Sequence, residues 1–218
     1  MKALAWFGKK DVRVIDAPIP DITEPDDVIV KVTGTTICGR SNSSLGSRLT
    51  VFSHSHTGSD LHLYHGEILT LKKGDILGHE FMGIIDRVGP SVKSIRPGQR
   101  VVVSFQVACG KCSYCQQKLS SMCDRTNSSS LQEYMYGSRD AGFFGYSHFA
   151  GGFAGGQAEY VRVPFGEVNC LVVPEEVKDE QALYLSDVLP TSYHAVVDTG
   201  VKKGDVVGVW VRLRGGFL

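Results

Sequence analysis

Cys109-Gly-Lys-Cys112-Ser-Tyr-Cys115, closed by Cys123, is a C-x2-C-x2-C-x7-C run that holds four of the chain's six cysteines. Packing explains four thiols this close together poorly. At neutral pH a thiolate needs a positive partner, and a tetrahedral zinc site built from four cysteines supplies one. Gly110, Lys111, Ser113 and Tyr114 suit a tight loop folded around an ion. A closed four-cysteine site is structural: it leaves no coordination position for a substrate, so any chemistry must lie elsewhere. A disulfide framework would need an oxidising compartment, and Met1–Lys10 has too short an apolar run for a secretory leader. An iron–sulfur cluster fits the first three cysteines, but the bacterial run closes with C-x3-C-P. Here the closing spacing is seven and Asp124 follows.

Composition bounds the rest. The 218 residues carry 23 Lys+Arg and 23 Asp+Glu, a net charge of zero. That balance gives no strong phosphate-attracting field, so no nucleic-acid partner is expected. Hydrophobic content of 42% and charged content of 21% are ordinary for a globular chain with a sizeable core. No apolar stretch approaches the ~18 residues of a membrane span, so no membrane partner is expected either. The expectation is a soluble cytoplasmic protein in a reducing compartment.

The chain reads as mainly β. Met1–Phe7, Val12–Ile15 and the alternating Asp27–Thr33 read as strands, punctuated by Pro18, Pro20 and Pro25. A second strand block spans Phe81–Val103, turning at Gly89-Pro90, and a third covers Ala158–Val163 and Leu171–Val173. Short strands, Gly/Pro turns and 25 glycines predict a small β-barrel. Helices are predicted late, at Asp179–Leu189 and Thr191–Thr199, and then a strand at Asp205–Trp210. Helix then strand after a long β block reads as the start of an α/β domain. Arg40–Thr57 stands apart: 18 residues, six of them Ser, with little periodicity, predict a loop.

Two further segments carry metal-ligating residue types. In Gly78-His79-Glu80, His79 would serve zinc well if its other ring nitrogen had an oxygen partner, and Glu80 would suit a supporting role. Alone, the tripeptide is a weak signal and reads by default as a surface His–Glu pair. Cys38, closing Thr35-Thr-Ile-Cys-Gly39, and Cys170 each read alone as a buried cysteine.

Taken together, these segments resemble the zinc-dependent alcohol dehydrogenase family of medium-chain dehydrogenases. The motifs are Thr35–Gly39, Ser59-Asp-Leu-His-Leu-Tyr-His-Gly66, Gly78-His-Glu-Phe-Met-Gly83, the four-cysteine lobe, Gly151–Tyr160 and Leu185–His194. The combination looks most like the glutathione-independent formaldehyde dehydrogenase branch, over residues 1–39 and 58–210. The resemblance implies a GroES-like catalytic barrel over 1–185, with the zinc lobe at 105–125, and the first helix and strand of a Rossmann NAD-binding domain over 186–218. It implies two zinc sites. Cys38, His79 and Asp187 would hold the catalytic zinc; Cys109, Cys112, Cys115 and Cys123 the structural one. Glu80 and Asp60 would support the ligands, Ser59 would carry the substrate proton, His62 would pass it on, and Thr191 would approach the nicotinamide. His65, His148 and His194 receive no role. A small alcohol or aldehyde would be the substrate. Oligomers are expected in the family and are doubtful for a fragment.

Two departures from the family pattern qualify those expectations. Arg40–Thr57 intervenes between Cys38-Gly39 and Ser59-Asp60. Long loops close at little entropic cost, but a proton relay needs tight geometry. After Trp210 the family's G-x-G-x-x-G turn is replaced by Val211-Arg-Leu-Arg-Gly-Gly-Phe-Leu218. Both segments read as translated introns, since Gly39-Arg40 and Val211 can each be encoded across a GT splice donor. NAD is therefore expected for a full-length relative and not for this chain, which reads as an inactive fragment. The alternative is a non-enzymatic, zinc-stabilised binding module.

Overall fold

A computed structural model describes residues 1–38 and 59–208. The Arg40–Thr57 segment and the tail from Val211 fall outside the described residues. In chain order the elements begin with β1 (Lys2–Gly8), β2 (Asp11–Asp16), β3 (Val28–Thr35), α1 (Ser59–Tyr64), β4 (Asp75–Ile76), β5 (Phe81–Val88), β6 (Arg100–Val103) and β7 (Gln106–Val107). They continue with α2 (Ser113–Gln116), α3 (Ser130–Tyr136), β8 (Gly142–Phe143), β9 (Tyr160–Val163), α4 (Gly166–Asn169), β10 (Cys170–Val172), α5 (Asp179–Ala182) and α6 (Val188–Asp198).

Antiparallel pairing builds a five-stranded sheet in the order β10-β6-β5-β3-β9, a three-stranded sheet β2-β1-β4, and the pair β7-β8. An isolated bridge, Ala3 to Ala158, ties the first two sheets together. The side-chain period of two sorts the large sheet into faces. Val28 and Val30 of β3, Phe81 and Ile85 of β5, Val101 and Val103 of β6, and Val161 and Val163 of β9 form the main core with Phe144. Phe81 meets Phe144 edge to face at 5.3 Å between ring centroids. Their strand neighbours Met82 and Val102 point the other way, under Val173 and Ala182 of the α5 region.

Gly83 sets how closely β3 and β5 can run. A Cβ there would lie 2.1 Å from the Lys31 carbonyl oxygen. The β3–β5 register is irregular nearby, between Val32 and Gly34.

The strand blocks predicted from sequence are all present within a residue or two. The late helices differ. Helix α5 passes into a 3₁₀ turn at Leu183–Leu185, breaks at Ser186-Asp187, and α6 starts at Val188. Pro190 thus lies in the first turn of α6, where its missing N–H leaves no helical bond unmade; the sequence-based expectation starts that helix after it. Residues 205–208 of the predicted strand Asp205–Trp210 are not in strand conformation, and its last two residues lie outside the described ones. No described strand pairs with this segment, and a strand without a ladder partner leaves its amides unsatisfied.

Candidate metal centres

Strand pairing explains why residues 41 positions apart in sequence share one site. Thr35 at the end of β3 pairs with Phe81 at the start of β5. The Thr36 amide and the Thr35 hydroxyl both donate to the Glu80 carbonyl, at 3.2 and 3.0 Å. The chain leaving β3 and the chain entering β5 therefore run side by side, and Cys38 comes up against His79 and Glu80. One sulfur, one imidazole nitrogen and one carboxylate oxygen of these three lie within 4.8 Å of one another. Gly78, at φ +95°, makes the turn into His79.

Helix α1 brings Asp60 beneath this group. Asp60 Oδ2 accepts from the Cys38 amide at 2.8 Å, and Oδ1 faces His79 Nδ1 at 3.9 Å. Asp187 arrives on the Ser186-Asp187 break. The buried Ser186 hydroxyl donates to the Val103 carbonyl at 2.5 Å, and the Phe105 amide donates to the Ser186 carbonyl at 3.3 Å. So anchored, Asp187 Oδ2 stands 3.7 Å from His79 Nε2, with Glu80 Oε1 at 3.4 Å from the same nitrogen.

Electrostatically this is a crowded pocket. Asp60, His79 and Glu80 are only 4%, 4% and 2% exposed. Burial pushes the Asp60 carboxyl up, against the pull of His79 and the Cys38 amide. Burial likewise raises Asp187, against the Thr191 hydroxyl and His79. Burial alone would lower His79, but contacts with Cys38, Glu80 and Asp60 push it up to about 10. Among the protein groups, His79 is thus the cation that answers the surrounding acids. Asp60 Oδ1, His79 Nδ1 and Glu80 Oε2 are buried without a hydrogen-bond partner, a costly arrangement for polar atoms. One thiol, one imidazole and carboxylates converging around orphaned polar atoms fit a zinc ion, which takes such mixed donors. A dication would displace the proton from His79 and take over its role.

Of the residues expected to hold a catalytic metal, Cys38 and His79 come together in one tight group and Asp187 lies near His79. Glu80, expected behind the ligands, contributes an oxygen to the tight group of Cys38, His79 and Glu80, while Asp187 Oδ2 lies 3.7 Å from His79 Nε2. Nor are His79 and Glu80 a surface pair. Ser59 opens α1, and His62 Nδ1 lies 2.5 Å from Glu67 Oε2. Thr191 donates to Asp187 Oδ1 at 2.5 Å. Outside the centre, His148 pairs with Asp75 at 3.2 Å and His194 with Asp198 at 3.3 Å, while Cys170 is buried in the main core.

Sequence reading missed Ser186 and Gln157. Gln157 Nε2 donates to Asp60 Oδ2 at 2.9 Å and to the Thr36 carbonyl at 3.1 Å. Its only signal was its place within the Gly151–Tyr160 motif.

The second centre is the four-cysteine lobe. All four sulfurs lie within 4.8 Å of one another. Cys109–Cys115 and Cys112–Cys123 are 4.0 and 3.9 Å apart. That far exceeds a disulfide's length of about 2.05 Å, and the cysteines are free. It matches the sulfur–sulfur edge of about 3.8 Å that follows from tetrahedral Zn–S bonds of about 2.3 Å. Backbone amides of Lys111 and Cys112 point at Cys109 Sγ (3.4 and 3.3 Å), and the Cys109 amide points at Cys123 Sγ (3.4 Å). Burial would raise Cys123, but donors from Arg125, Cys109 and Thr126 outweigh it and bring the thiol down to about 7. Burial and the Cys112 contact push Cys115 up to about 12.

Known proteins share this architecture. A zinc-type alcohol dehydrogenase-like protein of Schizosaccharomyces pombe is 43% identical over 210 residues, covering 96% of this chain and 45% of the relative. A glutathione-independent formaldehyde dehydrogenase of Pseudomonas aeruginosa is 33% identical over 218 aligned positions, covering 94% of this chain and 47% of the relative. Among solved structures, the alcohol dehydrogenase TADH from Thermus sp. ATN1 superposes with a TM-score of 0.71 at 32% identity, over 91% of this chain and 47% of that one. The chain spans about half the length of the curated relatives it matches. The alcohol dehydrogenase GroES-like domain matches residues 47–175, and with two clusters of metal-binding side chains on that fold, the chain belongs to the zinc-type alcohol dehydrogenase family.

Proposed function

We propose that this chain carries the metal-site half of an alcohol/aldehyde oxidoreductase, with a catalytic zinc held by Cys38, His79 and Asp187 and a structural zinc in the four-cysteine lobe. The convergence of Glu80 and Asp187 on His79 Nε2, beside Cys38, carries the reading. A zinc ion there would supply Lewis-acid polarisation of an alcohol or hydrated-aldehyde oxygen. The chain's own residues would do the rest. Asp60 pins the Cys38 backbone beside the His79 ring. Ser59 and His62, three apart on α1, share a helix face. Ser59 takes the substrate proton and His62 passes it outward, steadied by Glu67.

Nicotinamide binding needs a glycine turn opening a helix whose amides face the pyrophosphate. That turn is not among these 218 residues. We read the chain as competent to bind zinc and a small alcohol or aldehyde. Cobalt loading of the purified chain tests this. The expected result is two metal equivalents and a mixed-donor spectrum that shifts on adding a short alcohol. A single equivalent overturns the catalytic centre. A spectrum unmoved by alcohols favours the binding-module alternative.

A further inference from the structure

We infer that Gln157 is a positioning residue for the mixed centre, setting the Asp60 carboxylate and, through it and through Thr36, the Cys38 backbone. This rests on reading Cys38, His79 and Asp187 as a metal centre. Both Nε2 hydrogens of Gln157 are committed, one to Asp60 Oδ2 at 2.9 Å and one to the Thr36 carbonyl at 3.1 Å. Asp60 Oδ2 also accepts from the Cys38 amide. Two donors on Oδ2 fix that end of the carboxylate, while Oδ1 stands 3.9 Å from His79 Nδ1 without a hydrogen bond. The Thr36 contact holds the strand end that carries Cys38. The side-chain amide therefore joins the segments bearing Cys38 and Asp60, and the backbone amide holds Leu77, two residues before His79.

The backbone of Gln157 is itself immobilised. Its amide donates to the Leu77 carbonyl at 2.9 Å, and its carbonyl accepts from the Leu4 amide at 2.8 Å. Gly78 leaves room for its side chain: a Cβ there would stand 2.6 Å from Gln157 Cγ. Asp60 is a buried acid with two hydrogen-bond donors on Oδ2, so losing one of them frees it to rotate.

Gln157→Met keeps the approximate volume and removes both donors. Gln157→Glu keeps the shape and replaces the donors with a carboxyl beside Asp60. Both are titrated with cobalt in the full chain, which reports the four-sulfur and mixed-donor centres as separate spectra. The expected result is a 10- to 100-fold weaker mixed centre, the range typical for partners of metal ligands, with the lobe's affinity and bands unchanged. Mixed-centre affinity within about threefold of the parent protein in Gln157→Met overturns the inference, as does parallel loss of both centres in a folded variant, which marks a general packing role. Should Gln157→Met fail to fold, Gln157→Glu decides by the same two readings. A parent chain that fills only the lobe overturns the metal-centre reading and this inference with it, whereas two filled centres with an insensitive Gln157 overturn this inference alone.

Discussion

Thr191 and Asp187 are linked across the first turn of α6: the Thr191 hydroxyl donates to Asp187 Oδ1, leaving Oδ2 to face His79 Nε2 at 3.7 Å. One carboxylate oxygen is thus tethered to its own helix and the other is presented to the site. Thr191→Val removes the tether while keeping the branched shape. We expect it to weaken metal binding at the mixed centre about 10-fold, with Thr191→Ser restoring it, as read by cobalt titration. Unchanged metal affinity would leave Thr191 to the nicotinamide role that the family resemblance implies.

The four-cysteine lobe makes a separate prediction. Cys123 is buried and its sulfur accepts from the Cys109 amide. Cys123→Ser should abolish one metal equivalent and leave the mixed centre's alcohol response intact. Structural zinc contributes directly to folding free energy. The variant should therefore unfold at lower temperature than the zinc-loaded parent, and chelation of the parent should reproduce the shift. A variant that still binds two equivalents would remove the lobe from the metal inventory.

How much of this was legible in the sequence varies with range. The lobe was readable outright, because its ligands are local and their spacing is itself the geometry. The large sheet was readable because Val28, Val30, Phe81, Val101, Val103, Val161 and Val163 alternate or cluster as buried strands do. The mixed centre was not readable from single residues. Cys38 and His79 meet because Thr35 pairs with Phe81, a register no local pattern encodes. Gln157 and Ser186 escaped notice for the same reason: each acts through long-range hydrogen bonds on an ordinary polar side chain. The α6 boundary differs because Pro190 reads locally as a stop, whereas the first turn of a helix accepts proline.

Ser186 offers a test of how Asp187 is delivered. Its hydroxyl is buried against the Val103 carbonyl. Ser186→Ala should cost about 1 kcal/mol, the usual net worth of one such bond, in urea denaturation. It should also weaken the mixed centre, because Asp187 is the next residue. Lost stability with undiminished metal affinity would show that the break is held by its backbone alone.

Gly83 carries the fold rather than the site. A Cβ 2.1 Å from the Lys31 carbonyl oxygen cannot be accommodated without separating β3 from β5. Gly83→Ala should destabilise by about 3 kcal/mol, the upper end of ordinary overpacking. It should also disturb the mixed centre, since the same strand pair brings Cys38 to His79. Urea midpoints and cobalt titration on one sample check both effects, and a variant with wild-type stability would mean the strands part without cost.

The acid limb of stability should be set in part by Asp27. This carboxylate is fully buried and accepts from the Thr23 and Glu24 amides at 3.0 and 2.8 Å and from Arg162 Nη1 at 3.0 Å. Burial alone would raise its pKa, but those amides and the guanidinium outweigh burial and hold it below the ordinary value. A folded pKa below the unfolded one means stability that is present above the unfolded value of about 3.9 and lost as pH falls through the folded value. Asp27→Asn leaves Arg162 without its buried partner and should cost about 3 kcal/mol at pH 7; Arg162 is partly exposed, which argues for the lower end of the range for broken buried pairs. The difference between parent and variant, measured by urea denaturation, should shrink once the pH falls below about 3.9. A difference that is constant from neutral pH down into that acid range would show that the Asp27 charge contributes nothing and that its shape alone matters.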